Sequence, residues 1–486
     1  MQQITRAELS RNPAHPYITQ SEDCLYLNVY APKLALDPEL KKTLPVLVLI
    51  HGGGRTRGAA SRIAADIAAL NQRGILVVTP QYRLGVFSFF AHPDLSEESP
   101  LGVSGNYGTL DLVAALRWVQ ANIASFGGDK NSITVSGPSG GGTATGVLLI
   151  TPLARALFHR AAPLCSNAGV ARVHKLKATT LDQPSAESLG VKFAGRLGAH
   201  SLADLRAITA RDLQQHVFAT AAATYVPPAG AADVDDGVVV PGSIFDLHRR
   251  GARHDVPVML GFNADELSVF HGAGLIPDIP ATADDYRQTI KERYGALSKD
   301  YLRHYPASAL TPSVYAAARD RVVAYGTETV ARFSGNLSSP TFLYYMAHQP
   351  PSADQPVVGT SRRQGVSHCT DSMYLYGSVM RESAEGVPTP PADQELARRM
   401  FDYFVQFVKT GNPNKKSLPR WRAYGSGARR YMRFEAGKAR SARNLFPGTW
   451  KLWEQIRQQD ADLGQFRSWY GGWAADDALV EMKISP

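Results

Sequence analysis

Ser132-Ile133-Thr134-Val135-Ser136-Gly137-Pro138-Ser139-Gly140-Gly141-Gly142-Thr143-Ala144-Thr145-Gly146-Val147-Leu148-Leu149-Ile150 is the stretch that decides the fold. Ser132 to Val135 reads as a short strand, and Thr143 to Ile150 is compatible with a helix. Between them, Gly137-Pro138-Ser139-Gly140-Gly141 fits G-x-S-x-G, the pattern that raises a serine on a sharp strand-to-helix turn. The pattern alone recurs in glycine-rich chains, so the strand before it and the helix after it give it weight. The flanking glycines allow a strained backbone and close approach of neighbouring elements.

Working outward, Leu25, Leu27 and Val29 alternate as in a strand with one buried face. Pro45 to Ile50 and Ile75 to Thr79 are continuous apolar runs, as expected of strands buried on both faces. Ala59 to Gln72 reads as helical, with Ile63, Ile67 and Leu70 at helical spacing, as does the segment carrying Leu112, Val113, Leu116, Val119 and Ile123, which Gly127-Gly128 ends. Further strands are expected at Val256 to Leu260 and Thr341 to Met346, and further helices at Asp284 to Tyr305 and Glu395 to Lys409. Strands alternating with helices predict an α/β protein with a mostly parallel sheet covered on both faces. The 486 residues are expected to form one domain, with an N-terminal segment 1–20, helical insertions at about 151–235 and 270–335, and a C-terminal tail 447–486. Trp450, Trp453, Trp469 and Trp473 in that tail are expected to pack a terminal helix onto the body.

A serine hydroxyl is a poor nucleophile until a base takes its proton, and that base needs an acid to orient it. Gly261-Phe262-Asn263-Ala264-Asp265-Glu266 follows an expected strand and so places a carboxylate at a strand end. His368 lies in a small-residue loop, Gly365-Val366-Ser367-His368. Spacing alone leaves Asp265 and Glu266 both open as the acid. His51-Gly52-Gly53-Gly54 directly follows a buried strand, where backbone N–H groups of Gly53 and Gly54, with that of Gly140, could converge on a developing oxyanion. No Lys-Ser or Lys-Thr follows, which sets aside a phosphate loop.

Composition removes other classes. The net charge of +9 arises from 52 basic and 43 acidic residues with no Lys/Arg block, so no nucleic-acid partner is expected. The longest apolar run, Leu44 to Ile50, is far short of the ~20 residues of a membrane-spanning helix. Met1 to Glu22 lacks the apolar core of a signal peptide, so the chain is expected to act in the cytoplasm or to have lost a signal. Cys24, Cys165 and Cys369 show no paired metal-ligand spacing; no metal or other cofactor is expected, and reduced thiols are.

Ser21-Glu22-Asp23-Cys24-Leu25-Tyr26-Leu27-Asn28-Val29-Tyr30 resembles a signature of the type-B carboxylesterases, the family of cholinesterases and bacterial p-nitrobenzyl esterases. Tyr82 to Phe87, Gly105 to Gly108, Phe126 to Asp129, Asp236-Gly237, Gly261 to Glu266 and Lys409 to Asn414 extend the likeness in order over about residues 20–445. The resemblance implies an α/β-hydrolase fold, a Ser139, Glu266, His368 triad with Asp265 as the lesser candidate acid, and a small-molecule ester as substrate. Hydrolysis through an acyl-enzyme is the leading expectation; an acyltransferase with the same triad, or a non-catalytic adhesion or binding module, are the alternatives. The chain departs from the family in its shorter N-terminus, in Pro138 where some members carry Glu, in Cys24 without an upstream partner, and in Arg55 where an aromatic residue often follows the glycines. Arg55 and Arg57 are therefore candidates for binding an ester that carries a carboxylate. Asp371 is expected to support the loop of His368, Arg83 to satisfy a buried carbonyl or carboxylate, and Cys165 and Cys369 to lie near the site as inert thiols.

Overall fold

A computed structural model describes residues 21–36, 43–63, 65–170, 173–179, 184–214, 232–270, 276, 278–354, 364–380, 390–425 and 427–462. Its strands are β1 (Leu27–Tyr30), β2 (Leu44–Leu49), β3 (Leu76–Pro80), β4 (Gly128–Pro138), β5 (Arg160–Leu164), β6 (Val173–Lys175), β7 (Asp233–Asp235), β8 (Val258–Asn263), β9 (Thr341–Met346), β10 (Arg430–Glu435) and β11 (Lys438–Arg443). Nine of them form one sheet in the order β1-β3-β2-β4-β5-β8-β9-β10-β11, and β6 pairs separately with β7. From β3 to β10 the neighbours run parallel, while β1 and β11 close the two edges antiparallel. This is the mostly parallel sheet that the alternation of strands and helices predicts, and it fits the α/β-hydrolase fold that the resemblance implies.

The sheet is covered on both faces, which is why its central strands read as unbroken apolar runs. Val46, Val48 and Val135 face one layer with Leu112, Leu116 and Leu148. Leu47 and Leu49 face the other, with Met400, Phe404 and Trp421. The long helix Pro391–Thr410 supplies much of this second layer, and the expected Glu395 to Lys409 stretch lies inside it. On the first face, Trp453 of the helix Thr449–Asp462 is buried and donates its Nε1–H to the Tyr305 hydroxyl at 2.9 Å. Trp450 donates likewise to the Thr329 hydroxyl at 3.1 Å. These bonds pack the start of the tail onto the body; Trp469 and Trp473 lie outside the described residues.

Local chemistry explains where the elements differ from expectation. Among the described residues of Ala59 to Gln72 only one turn, Ala60–Arg62, and the helix Ile67–Gln72 form, because the Asp66 carboxylate accepts from the Ala69 amide at 2.9 Å and caps a new start. Asp284 to Tyr305 is two helices, Ala283–Tyr294 and Ser298–His304, separated at Gly295, whose φ is +51°. The strand expected from Val256 runs instead over Val258–Asn263, starting after Pro257, which has no N–H to give a ladder. Strand β5 falls in the stretch expected to be helical at about 151–235. All three cysteines are unbridged. No helix among the described residues is long and apolar enough to cross a membrane.

The close contact of β8 with β9 yields a stability test. A Cβ on Gly261 would stand 2.4 Å from the buried Tyr344 ring, so Gly261→Ala should destabilise the protein by about 1–3 kcal/mol. Differential scanning calorimetry should show its lower midpoint, while Gly195→Ala, with open space around the added methyl, should show no loss.

Candidate active site

Strand β4 ends in a turn that holds Ser139 at φ 55° and ψ −123°, a strained conformation for a residue with a Cβ. The helix Gly140–Ile150 starts at once, with the Thr143 amide donating to the Ser139 carbonyl at 2.9 Å. The Ser139 amide donates to the Leu164 carbonyl at the end of β5, at 3.1 Å. Glycine is required around it: a Cβ on Gly137 would lie 2.5 Å from the Ile50 carbonyl, and one on Gly141 would lie 2.2 Å from the same oxygen. The end of β2 thus presses directly on the elbow and leaves Ser139 half-buried at the sheet's C-terminal edge.

The chain leaving β2 carries His51 to Gly54. Gly53 and Gly54 have φ values of 103° and 63°, backbone conformations that favour glycine. A Cβ on Gly140 would lie 2.7 Å from the amide nitrogens of both Gly54 and Arg55, so this loop and the first residue of the elbow helix meet closely. Among the described residues the amides of Gly53, Gly54 and Gly140 donate to no backbone carbonyl. His51 steadies the loop from beneath, stacked on Tyr82 with ring centroids 4.5 Å apart. Burial lowers its pKa to about 4, so it is neutral at ordinary pH.

Glu266 follows β8 and is fully buried. One carboxylate oxygen, Oε2, meets His368 Nδ1. The other, Oε1, accepts from the Asn263 amide and side-chain nitrogen, both at 2.8 Å. Asn263 in turn donates to Asp371 Oδ1 at 2.9 Å and accepts from the Asp371 amide at 2.9 Å. The Tyr344 hydroxyl donates to the remaining Asp371 oxygen. Asp371 thus supports the His368 loop through Asn263 and Tyr344. Burial, and then the nearby Glu266 charge, push its pKa up to about 6. Asp265 has a different occupation: its carboxylate accepts from the Val366 amide at 2.9 Å, and its own amide donates to the Val366 carbonyl at 3.0 Å. It fastens the loop, while Glu266 faces the imidazole.

For His368, burial opposes the charged ring, but the Cys369 thiolate and the Glu266 carboxylate outweigh it and hold the pKa well above the ordinary histidine value. The edge of Phe270 covers the ring, with centroids 5.1 Å apart. Among the described residues the Ser139 side chain makes no hydrogen bond. The elbow and the histidine loop meet instead across the end of β5, where Cys165 follows Leu164 and its Sγ lies 2.8 Å from Cys369 Sγ.

Arg55 is buried and ion-paired with Asp233 at 2.7 Å, with its guanidinium over the Phe89 ring at 4.7 Å. That guanidinium is engaged by a protein carboxylate and braces the glycine loop against β7. Arg57 is half-buried, its amide on the Gly53 carbonyl at 3.1 Å. Arg83 grips Asp111 with two nitrogens, as its structural reading anticipates. The roles of Asn263 and Tyr344 and the partner of Arg55 emerge only from the fold; Asn263 belongs to the Gly261 to Glu266 motif, but its two partners, Glu266 and Asp371, come from chain segments over a hundred residues apart.

Comparison with known proteins gives the family. The model of the carboxylesterase family matches residues 1–453. The chain is 33% identical to a fumonisin B1 esterase of Sphingopyxis macrogoltabida over 82% of its own length and 71% of that protein. It is 31% identical to an acylcarnitine hydrolase of Rattus norvegicus over 83% and 70%, and 32% identical to liver carboxylesterase 1 of Oryctolagus cuniculus over 83% and 72%. The chain belongs to the carboxylesterase family and is a carboxylic ester hydrolase of the α/β-hydrolase fold.

Asn263 holds two buried carboxyl groups at once, so Asn263→Ala strips partners from both. The cost should be about 1–3 kcal/mol for each group left unsatisfied. It should appear as a lower thermal midpoint together with a reduced kcat on a simple aryl ester.

Proposed function

We propose that the chain cleaves esters through an acyl-enzyme on Ser139, with His368 as base and Glu266 as its orienting acid. The pairing of His368 Nδ1 with the buried Glu266 carboxylate carries this reading, because it fixes the tautomer that leaves Nε2 to receive the serine proton. Ser139 Oγ forms the bond to the ester carbonyl as its proton passes to His368. The carbonyl oxygen takes up charge beside the amides of Gly53, Gly54 and Gly140, where each donor contributes roughly a hundredfold to a thousandfold. The imidazolium, steadied by Glu266, then protonates the leaving alcohol, and a water molecule activated by the same base releases the acid.

An organophosphonate should add a single adduct to Ser139 and abolish ester cleavage. Ser139→Ala should lose about 10⁴–10⁶-fold in kcat, and His368→Ala with Ser139→Ala should lose no more than either alone. Full activity of Ser139→Ala rejects the assignment. Because the environment raises the His368 pKa, the base is lost as pH falls through that raised value. The acid limb of kcat/KM should therefore stand above about 6.5.

The acyl side of the site is read as accepting esters that carry a carboxylate, with Arg57 as the contact. Support comes from its place in the turn that follows the glycine amides and from the pairing of Arg55 with Asp233, which leaves Arg57 as the candidate cation of the two. A charge-assisted contact contributes roughly 1.5–3 kcal/mol. Arg57→Ala should lower kcat/KM for a free-carboxylate ester relative to its methylated twin by about tenfold or more. An unchanged ratio rejects the contact. Fumonisin B1, the compound named for one relative, belongs in the same panel of esters.

A further inference from the structure

Three cysteines lie far apart in the sequence, yet two of their sulfurs meet beside the imidazole. Cys165 Sγ and Cys369 Sγ are 2.8 Å apart, and together with a His368 ring nitrogen all lie within 4.8 Å of one another. We propose that Cys165 and Cys369 form an oxidisable pair that a hydroperoxide closes into a disulfide, a modification site beside His368 and separate from the ester-cleaving groups.

Both backbones are pinned with the sulfurs facing. The Cys165 amide donates to the Gly261 carbonyl at 3.1 Å, tying it to the end of β8. Cys369 sits in a left-handed conformation, φ 63°, at the start of the helix Thr370–Leu375, and its carbonyl accepts from the Ser372 hydroxyl at 2.8 Å. A bonded pair of sulfurs stands about 2.05 Å apart, so closing the bond needs a shift of under one ångström. A shared metal ion fits less well: two thiolates at about 2.3 Å from a tetrahedral zinc would stand roughly 3.8 Å from each other. Cys165 is fully buried and Cys369 only partly, so oxidant reaches Cys369 first. Burial disfavours the Cys369 thiolate, but the Cys165 thiol and the His368 charge outweigh it and lower its pKa, the condition for attack. Burial raises the Cys165 pKa, which keeps it a thiol until it is used.

The chemistry balances in two steps. The Cys369 thiolate attacks the hydroperoxide; an S–O bond forms, the O–O bond breaks, and the departing oxygen leaves as water or an alcohol after taking a proton. The Cys165 thiol then gives up its proton and attacks the sulfenic sulfur, forming S–S and breaking S–O with loss of water. Two thiols are oxidised, and one hydroperoxide is reduced. Closing the bond removes the thiolate that faces His368 and leaves Glu266, with Asp371 behind Asn263, as the acidic groups around it. Resting on the proposed role of His368 as base, this predicts that the acid limb of kcat/KM moves to lower pH on oxidation.

The test treats the reduced full-length protein with hydrogen peroxide, caps remaining thiols with a maleimide, and maps the peptides by mass spectrometry. A linked pair containing Cys165 and Cys369, lighter by two hydrogens, with Cys24 capped and all three cysteines capped again after dithiothreitol, is the expected result. Cys165→Ser should give no link and should carry oxygen adducts on Cys369. Oxygen adducts on Cys369 without a link in the unsubstituted chain, or a link through Cys24, overturns the pair. A linked protein whose acid limb is unmoved overturns its influence on the base. Labelling of Ser139 by the phosphonate in the reduced protein separates either result from a failure of the esterase mechanism.

Discussion

Burying the Glu266 carboxylate is the constraint on which the rest of the site depends. A charge held away from water is costly unless it is paired and hydrogen-bonded. Glu266 answers that cost with His368 on one oxygen and two Asn263 donors on the other. Asn263 can serve only because Asp371 takes its remaining amide hydrogen and gives it an amide donor. Asp371 in turn is held by Tyr344 from β9. One buried charge therefore recruits the end of β8, the neighbouring strand β9 and the helix after His368 into a single polar network, with Cys165 at the end of a third strand against the same loop.

The parallel sheet makes such a network possible. Its strands β2, β4, β5, β8 and β9 end on one edge, so the glycine loop, the serine elbow, Cys165, Glu266 and the network around Asp371 are delivered side by side by chain segments far apart in sequence. Glycines at 137 and 141 let the backbone of β2 touch the elbow. The ion pair of Arg55 with Asp233 holds the loop from its outer side. Ligand sites of open α/β sheets lie at this edge for the same reason.

Much of this was legible in the sequence because local chemistry writes it there. Strands β2, β3, β8 and β9 are dense in apolar residues, and the elbow is a short motif set between a strand and a helix. Strand β5 was missed because Arg160-Ala161-Ala162-Pro163-Leu164 is short and contains Pro. The β10–β11 hairpin was missed because Arg430, Arg433, Lys438, Arg440 and Arg443 mask its alternation. Asp233 lies 178 residues from Arg55, and Asp371 lies 108 from Asn263. Such contacts leave no local signal, so only the fold assigns them. Asp265 and Glu266 are adjacent and chemically alike, and which one faces His368 depends on how the strand end turns.

That choice between two neighbouring carboxylates is the most direct test of the account. The measurement is kcat/KM of Glu266→Gln against Asp265→Asn, each normalised to folded protein by circular dichroism. The account predicts a loss of about 10⁴-fold for Glu266→Gln, as expected when the acid that fixes the tautomer becomes an amide. Asp265→Asn should retain most activity while unfolding at a lower temperature, because it fastens the loop without touching the imidazole. The reverse order, with Asp265→Asn inactive and Glu266→Gln nearly normal, would contradict it.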